Sequence, residues 1–229
     1  MQLHQYSDTK ALNQDFARQL VTLLTEAIAS RGQAYLVVSG GRTPTALFNT
    51  LSEAELAWDK VTILLADERF VPVDAADSNE RLVKANLLKA NAAAANFISL
   101  YSEAPSAEQA IAAILPRLES LPAFDAVILG MGEDGHTASL FPCSKELAAG
   151  LAADAPAVLA VNPTTAPHQR VSLSLPRLLN SRQLFLHLVG QSKLAVLTQA
   201  QAGSDVTSMP IRAILQQPDV DVAVMYAAN

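Results

Sequence analysis

The chain predicts a three-layer α/β fold, a mostly parallel central sheet with helices on both faces. Three observations carry this. Short apolar runs alternate with helix-spaced segments along most of the 229 residues. The runs at 34–38, 61–66 and 124–129 are apolar throughout, as strands buried on both faces are. Half of the residues are hydrophobic and only 17% are charged, which allows a large core and excludes global disorder.

The elements follow in order. Residues 9–30 carry Leu12, Phe16, Leu20, Leu23, Leu24 and Ala27 at helical spacing, and Gly32 is a natural stop. The strand at 34–38 runs into Ser39-Gly40-Gly41-Arg42-Thr43-Pro44, where Pro44 suits the first turn of a helix over 45–51. The strand at 61–66 ends in the polar turn Asp67-Glu68-Arg69. A helix is expected over 78–90 with Ser78 as its cap, a short strand over 96–100, and a helix over 106–118 capped by Ser106. The 124–129 strand breaks into Gly130-Met131-Gly132-Glu133-Asp134-Gly135-His136. Further strands are expected at 157–161, 170–175 and 183–189, then a helix opened by Gly190, a short helix from Pro210 and a last strand at 220–225. No repeat and no Gly/Ser/Pro linker divides the chain, which reads as one domain spanning 1–229.

A net charge of −6 and a pI of about 5.2 argue against a nucleic-acid partner. An anionic small substrate remains compatible, because a few cations and backbone N–H groups hold a phosphate inside an acidic protein. The lone Cys143 permits no internal disulfide and fits a reducing compartment. The N-terminus shows no signal-peptide pattern, and no apolar run reaches roughly 18 residues. A cytoplasmic protein that does not engage a membrane is expected.

Three apolar strands thus end in polar turns. If they are parallel neighbours, their carboxyl ends converge on one crevice, where open α/β sheets bind ligands. The Ser39–Pro44 turn has the make-up of an anion cradle, with two glycines, flanking hydroxyls and a helix N-terminus; a plain strand–helix turn capped by Thr43 is the alternative. Asp67 or Glu68 could orient a base or a substrate hydroxyl, and Arg69 could contact an anion; a solvated charge cluster is the bland reading. Lys193 falls in the first turn of a helix, where a cation opposes the helix dipole and calls for compensation such as a bound anion. Arg170 opens a strand and is either a site cation or a surface one. His136 lies in a glycine–acid loop after a buried strand, placed to move a proton near neutral pH. The four histidines are far apart and the cysteine has no partner, so no metal site is implied. His187 reads as a core or sheet-edge residue, and His168 as one that could reach the site.

Together these motifs resemble the 6-phosphogluconolactonase family. The resemblance rests on Ser39 to Pro44, Asp67-Glu68-Arg69-Phe70-Val71-Pro72, Ser78-Asn79, the run from Gly130 to Pro142, Arg170-Val171-Ser172-Leu173 and Gly190-Gln191-Ser192-Lys193, in that order. It implies a Rossmann-like sheet of the sugar-phosphate isomerase type and hydrolysis of 6-phospho-D-glucono-1,5-lactone to 6-phosphogluconate, with no required metal or organic cofactor. The partner is then a small phosphorylated sugar lactone, and the protein a monomer or small homo-oligomer. His136 becomes the general base, with Asp134 or Asp67 holding its tautomer. N–H groups of the 130–135 loop or Arg69 receive the oxyanion. Ser39, Gly40, Gly41, Arg42 and Thr43 seat the phosphate, gripped by Arg170 and Lys193.

The related glucosamine-6-phosphate deaminase/isomerase family shares several of these motifs. It has an Asn-Glu-Pro where this chain reads Leu140-Phe141-Pro142, so the acid that would orient its histidine is Phe141 here. A non-catalytic sugar-phosphate sensor is a further alternative; such regulators usually add a DNA-binding segment, which is not readable in this chain.

Overall fold

A computed structural model describes residues 1–229. In chain order the elements are β1 (Gln2–Tyr6), α1 (Thr9–Arg31), β2 (Ala34–Val38), α2 (Thr45–Ser52), β3 (Val61–Leu65), β4 (Asp67–Arg69), α3 (Asn79–Asn86), β5 (Asn96–Ile98), α4 (Ala107–Ile114), α5 (Pro116–Glu119), β6 (Ala126–Leu129), α6 (Leu147–Leu151), β7 (Val158–Val161), β8 (Arg170–Leu173), α7 (Leu175–Leu179), β9 (Leu184–Val189), α8 (Gln191–Gln201), α9 (Ile211–Leu215) and β10 (Val222–Ala227).

Seven strands form one parallel sheet in the order β1-β10-β9-β6-β2-β3-β5. The helices α1, α2 and α3 pack together, and α4 to α9 form the other helical groups, giving the three layers expected from the apolar strands. α1 owes its ends to local chemistry. Asp8 accepts from the Ala11 N–H at 2.8 Å, and Gly32 adopts φ 78°, closing the last turn onto Ile28. Strand order reverses direction between β2 and β6, so the loops after them face each other across a switch point.

Several boundaries differ from expectation. Gln2–Tyr6 is an edge strand with mostly exposed side chains, and therefore lacks the apolar run that reveals buried strands. The helix expected over 106–118 divides at Leu115, because Pro116 has no N–H to continue it. The helix expected over 78–90 ends at Asn86 and gives way to a 3₁₀ turn over Ala90–Ala94.

The polar turn Asp67-Glu68-Arg69 is instead strand β4. It joins β8 and β7 in a small antiparallel sheet, which also removes 157–161 and 170–175 from the central one. Alternation along β4 sends Asp67 and Arg69 to one face and Glu68 to the other. Glu68 is buried and accepts the N–H groups of Arg69, Asn79 and Glu80 at 2.7 Å, with the Ser78 hydroxyl at 3.1 Å. It is thereby the anchor of the α3 N-terminus. Burial pushes its carboxyl pKa up, against the four hydrogen bonds that favour the charged form. Glu68→Ala is expected to cost at least about 3 kcal/mol of stability, since it strands these donors in the interior. Urea unfolding of the variant and wild type at neutral pH measures this.

Candidate active site

The loops after β2, β3 and β6 do converge. These strands are adjacent in the sheet, and their carboxyl ends open into a cavity of about 340 Å³. Its wall includes Ser39, Gly40, Gly41, Thr43, Asp67, Arg69, His136, Arg170 and Lys193. Arg42 is exposed and does not line it, so of that stretch only its neighbours face the cavity. Asp134 also stands outside the wall, behind His136.

The His136 imidazole is fixed by its own loop. Nδ1 lies 2.6 Å from Asp134 Oδ1, and the Asp134 carboxylate also accepts the His136 backbone N–H at 3.1 Å. Partial burial would raise the Asp134 pKa, but the charge and hydrogen bonds of His136 outweigh it and hold the carboxyl below its usual range. An ionised Asp134 accepts a hydrogen bond from Nδ1–H and leaves Nε2 with its lone pair. One face of the imidazole stacks on Phe141 at 4.1 Å. A Cβ on Gly132 would collide with the imidazole and with Asp134, which is why this position is glycine. Gly135 takes φ 77° with Met209 packed against it, and its carbonyl accepts the Ile211 N–H at 2.8 Å. The loop is thus held from the side of α9.

Asp67 has a different partner. Its Oδ2 accepts from the Ser139 hydroxyl at 2.6 Å, so between the two acids proposed for the histidine it is Asp134 that touches the imidazole. The N–H of Gly132 bonds to the His136 carbonyl and that of Gly135 to Gly132, so these two donors are already used within the loop.

Arg69 and Arg170 are direct partners across the β4–β8 ladder. Like charges opposite each other repel. Arg170 is buried, and its pKa is lowered by that burial; Asp67 raises it and Arg69 adds to the lowering. Nε of each arginine is buried without a partner. Arg170 donates to the Pro167 carbonyl at 3.1 Å and lies over the Phe141 ring, 5.6 Å from its centroid, while Arg69 donates to the Asp77 carbonyl at 2.7 Å. Two such guanidiniums side by side suit an anion.

Two helix N-termini reach the cavity without side-chain caps. The N-cap positions are Pro44 for α2 and Gly190 for α8, and neither side chain supplies an acceptor for the first free N–H groups. Lys193 in the first turn of α8 donates to the Met131 carbonyl at 2.9 Å and pairs with Glu133 at 2.7 Å. Glu133 supplies the negative charge that this lysine position calls for.

Three wall residues lie outside the site that the sequence predicts. Asn79 donates to the Asp67 carbonyl at 2.9 Å and leaves its Oδ1 buried and unpartnered; its signal was only the Ser78-Asn79 pair. Phe141 stood out as a departure from a related pattern, and its stacking on His136 was not readable. His187, expected as a core or sheet-edge residue, is buried and also borders the cavity. His168 stays outside the wall and lies 3.1 Å from Asp77.

Burial lowers the His187 imidazole to about 4, so it is neutral at neutral pH. The unfolded chain takes up that proton near pH 6.5. Folded stability is therefore lost as pH falls from about 6.5 towards 4, by up to roughly 3 kcal/mol. Removing this imidazole with His187→Phe is expected to flatten that part of the profile, as denaturant unfolding at pH 7 and pH 4.5 would reveal.

The chain matches the family described as glucosamine-6-phosphate isomerases/6-phosphogluconolactonase over residues 7–224. A 6-phosphogluconolactonase of Pseudomonas putida is 43% identical over 219 residues, covering 95% of this chain and 90% of the relative. One from Pseudomonas aeruginosa is 46% identical over 206 residues, 88% of this chain and 86% of the relative. The crystal structure of a 6-phosphogluconolactonase from Shewanella baltica OS155 superposes with a TM-score of 0.97 at 47% identity, covering 100% of this chain and 98% of that one. With its cavity at the sheet switch point and a family match along nearly its whole length, the chain belongs to the glucosamine-6-phosphate isomerase/6-phosphogluconolactonase family.

Proposed function

We propose that the cavity hydrolyses 6-phospho-D-glucono-1,5-lactone to 6-phospho-D-gluconate, the second step of the oxidative pentose phosphate pathway. The observation that carries this reading is His136, held from behind by Asp134 and facing a cavity walled by Arg69 and Arg170. Asp134 keeps the Nδ1 proton in place, and Nε2 takes a proton from water. The hydroxide forms a bond to the lactone carbonyl carbon, and Arg69 stabilises the resulting oxyanion. Collapse breaks the bond to the ring oxygen, which leaves with the proton returned by His136. A positioned base is worth about 10²–10⁴-fold and an oxyanion donor about 3 kcal/mol.

The phosphate is assigned to the uncapped end of α2, with Ser39, Gly40, Gly41 and Thr43, and to Arg170 and Lys193. Arg42 contributes its backbone rather than its exposed side chain. Binding the distant phosphate orients a reacting ester too small to orient itself. The roles need no metal or organic cofactor. Phe141 speaks against isomerase chemistry, since an aromatic ring lies against His136 where that family places an acid. No helix is long and apolar enough to cross a membrane. The substrate class and the lone cysteine support a cytoplasmic enzyme, acting as one domain in a monomer or small homo-oligomer.

Assaying lactone hydrolysis beside glucosamine 6-phosphate deamination tests the reading. Turnover of the lactone alone is expected; release of ammonia from the amino sugar, with no lactone turnover, would replace hydrolysis by the isomerase reaction.

A further inference from the structure

His187 is a polar residue in the middle of the sheet that the reaction above does not use. It belongs to the all-buried strand β9 and is 4% exposed. Neither Nδ1 nor Nε2 has a hydrogen-bond partner. The imidazole meets Phe16 of α1 edge-on at 5.4 Å and borders the cavity. As a core residue alone, it would be better replaced by phenylalanine or leucine, because unpartnered buried polar atoms are costly.

Strand register shows what lies beside it. Leu186 pairs with Leu129, and Ile128 pairs with Val38. Continuing both ladders sets Gly130 next to His187 and Gly40 beyond Gly130, with all three directed to the same face. A Cβ on Gly130 would meet nothing within 4 Å. A Cβ on Gly40 would strike the Asn79 amide, whose Oδ1 is itself buried and unpartnered. By register, two glycines thus lie between His187 and Asn79, a trough of about 10 Å from β9 to β2 with the Asn79 amide over its Gly40 end.

We propose that His187 and Asn79 are specificity residues that hydrogen-bond ring hydroxyls of the sugar from the two ends of the Gly130–Gly40 trough. This rests on the reading of the cavity as a sugar-phosphate lactone site. A neutral imidazole offers one donor and one acceptor, and the free amide oxygen accepts; a hydroxyl donates and accepts. A phosphate, which only accepts, is better served by the helix ends and Lys193.

The test combines His187→Phe and His187→Gln with 6-phosphogluconate binding and with lactones lacking one ring hydroxyl. His187→Phe is expected to raise the melting temperature at neutral pH. It should also weaken substrate use about 5- to 50-fold, mainly through KM, and product binding by a similar factor. His187→Gln recovers part of the loss, and the His187→Phe penalty shrinks for the one deoxy lactone that lacks the contacted hydroxyl. Unchanged KM and product affinity would overturn the proposal. So would a variant that loses stability and acts equally poorly on every deoxy lactone, which marks a core histidine. Wild-type protein that binds 6-phosphogluconate without hydrolysing the lactone refutes the hydrolytic reading, while the product-affinity comparison still decides the trough. Wild-type protein that does not bind 6-phosphogluconate overturns both.

Discussion

Replacing His136 by alanine is expected to lower kcat by about 10²–10⁴-fold, with far-ultraviolet circular dichroism unchanged. The side chain is 30% exposed, and its only polar side-chain partner is Asp134, so its loss removes chemistry rather than core. Two neighbouring variants separate the roles. Asp134→Asn keeps the shape but weakens the control of the tautomer, and falls between wild type and His136→Ala. Gly132→Ala displaces the imidazole without altering any reacting group, so it should also cost kcat. A His136→Ala protein with wild-type kcat would remove the base from this account.

The second large effect is expected at Lys193. If its ammonium exchanges Glu133 for the substrate phosphate, it makes a charge-assisted contact worth roughly 1.5–3 kcal/mol. Lys193→Ala should then lower kcat/KM for the phosphorylated lactone about 10- to 150-fold. For unphosphorylated glucono-1,5-lactone the effect should nearly vanish, because that compound offers the lysine nothing to bind. Arg170→Ala should act in the same direction, and the double variant need not be additive, since both groups share one ligand. An equal loss on both lactones would give Lys193 to the chemistry or the fold and leave the phosphate seat elsewhere.

Much of this site was legible in the sequence because it is local. The glycines and acids from Gly130 to His136 follow a buried strand, and the Asp134–His136 contact spans two residues. The turns after β2, β3 and β6 converge as expected if these continuously apolar strands are parallel neighbours, which they are. What stayed hidden depends on register between distant segments. The Arg69–Arg170 pair exists because β4 and β8 form an antiparallel ladder, and three charged residues do not announce a strand. Glu68 sits one residue from two cavity residues but faces α3, a distinction made by alternation rather than composition. The compensation that the Lys193 position calls for, such as a bound anion, is supplied within the chain by Glu133. His187 looks like any core histidine until the glycines two strands away are aligned with it.

The most direct measurement is the decay of freshly generated 6-phospho-D-glucono-1,5-lactone with and without the protein, since this activated ester also hydrolyses spontaneously. The account predicts catalysed, saturable hydrolysis well above the background, lost in His136→Ala and weakened in Lys193→Ala. Decay at the spontaneous rate, by folded protein that still binds 6-phosphogluconate, would contradict it and leave a sugar-phosphate binder in place of an enzyme.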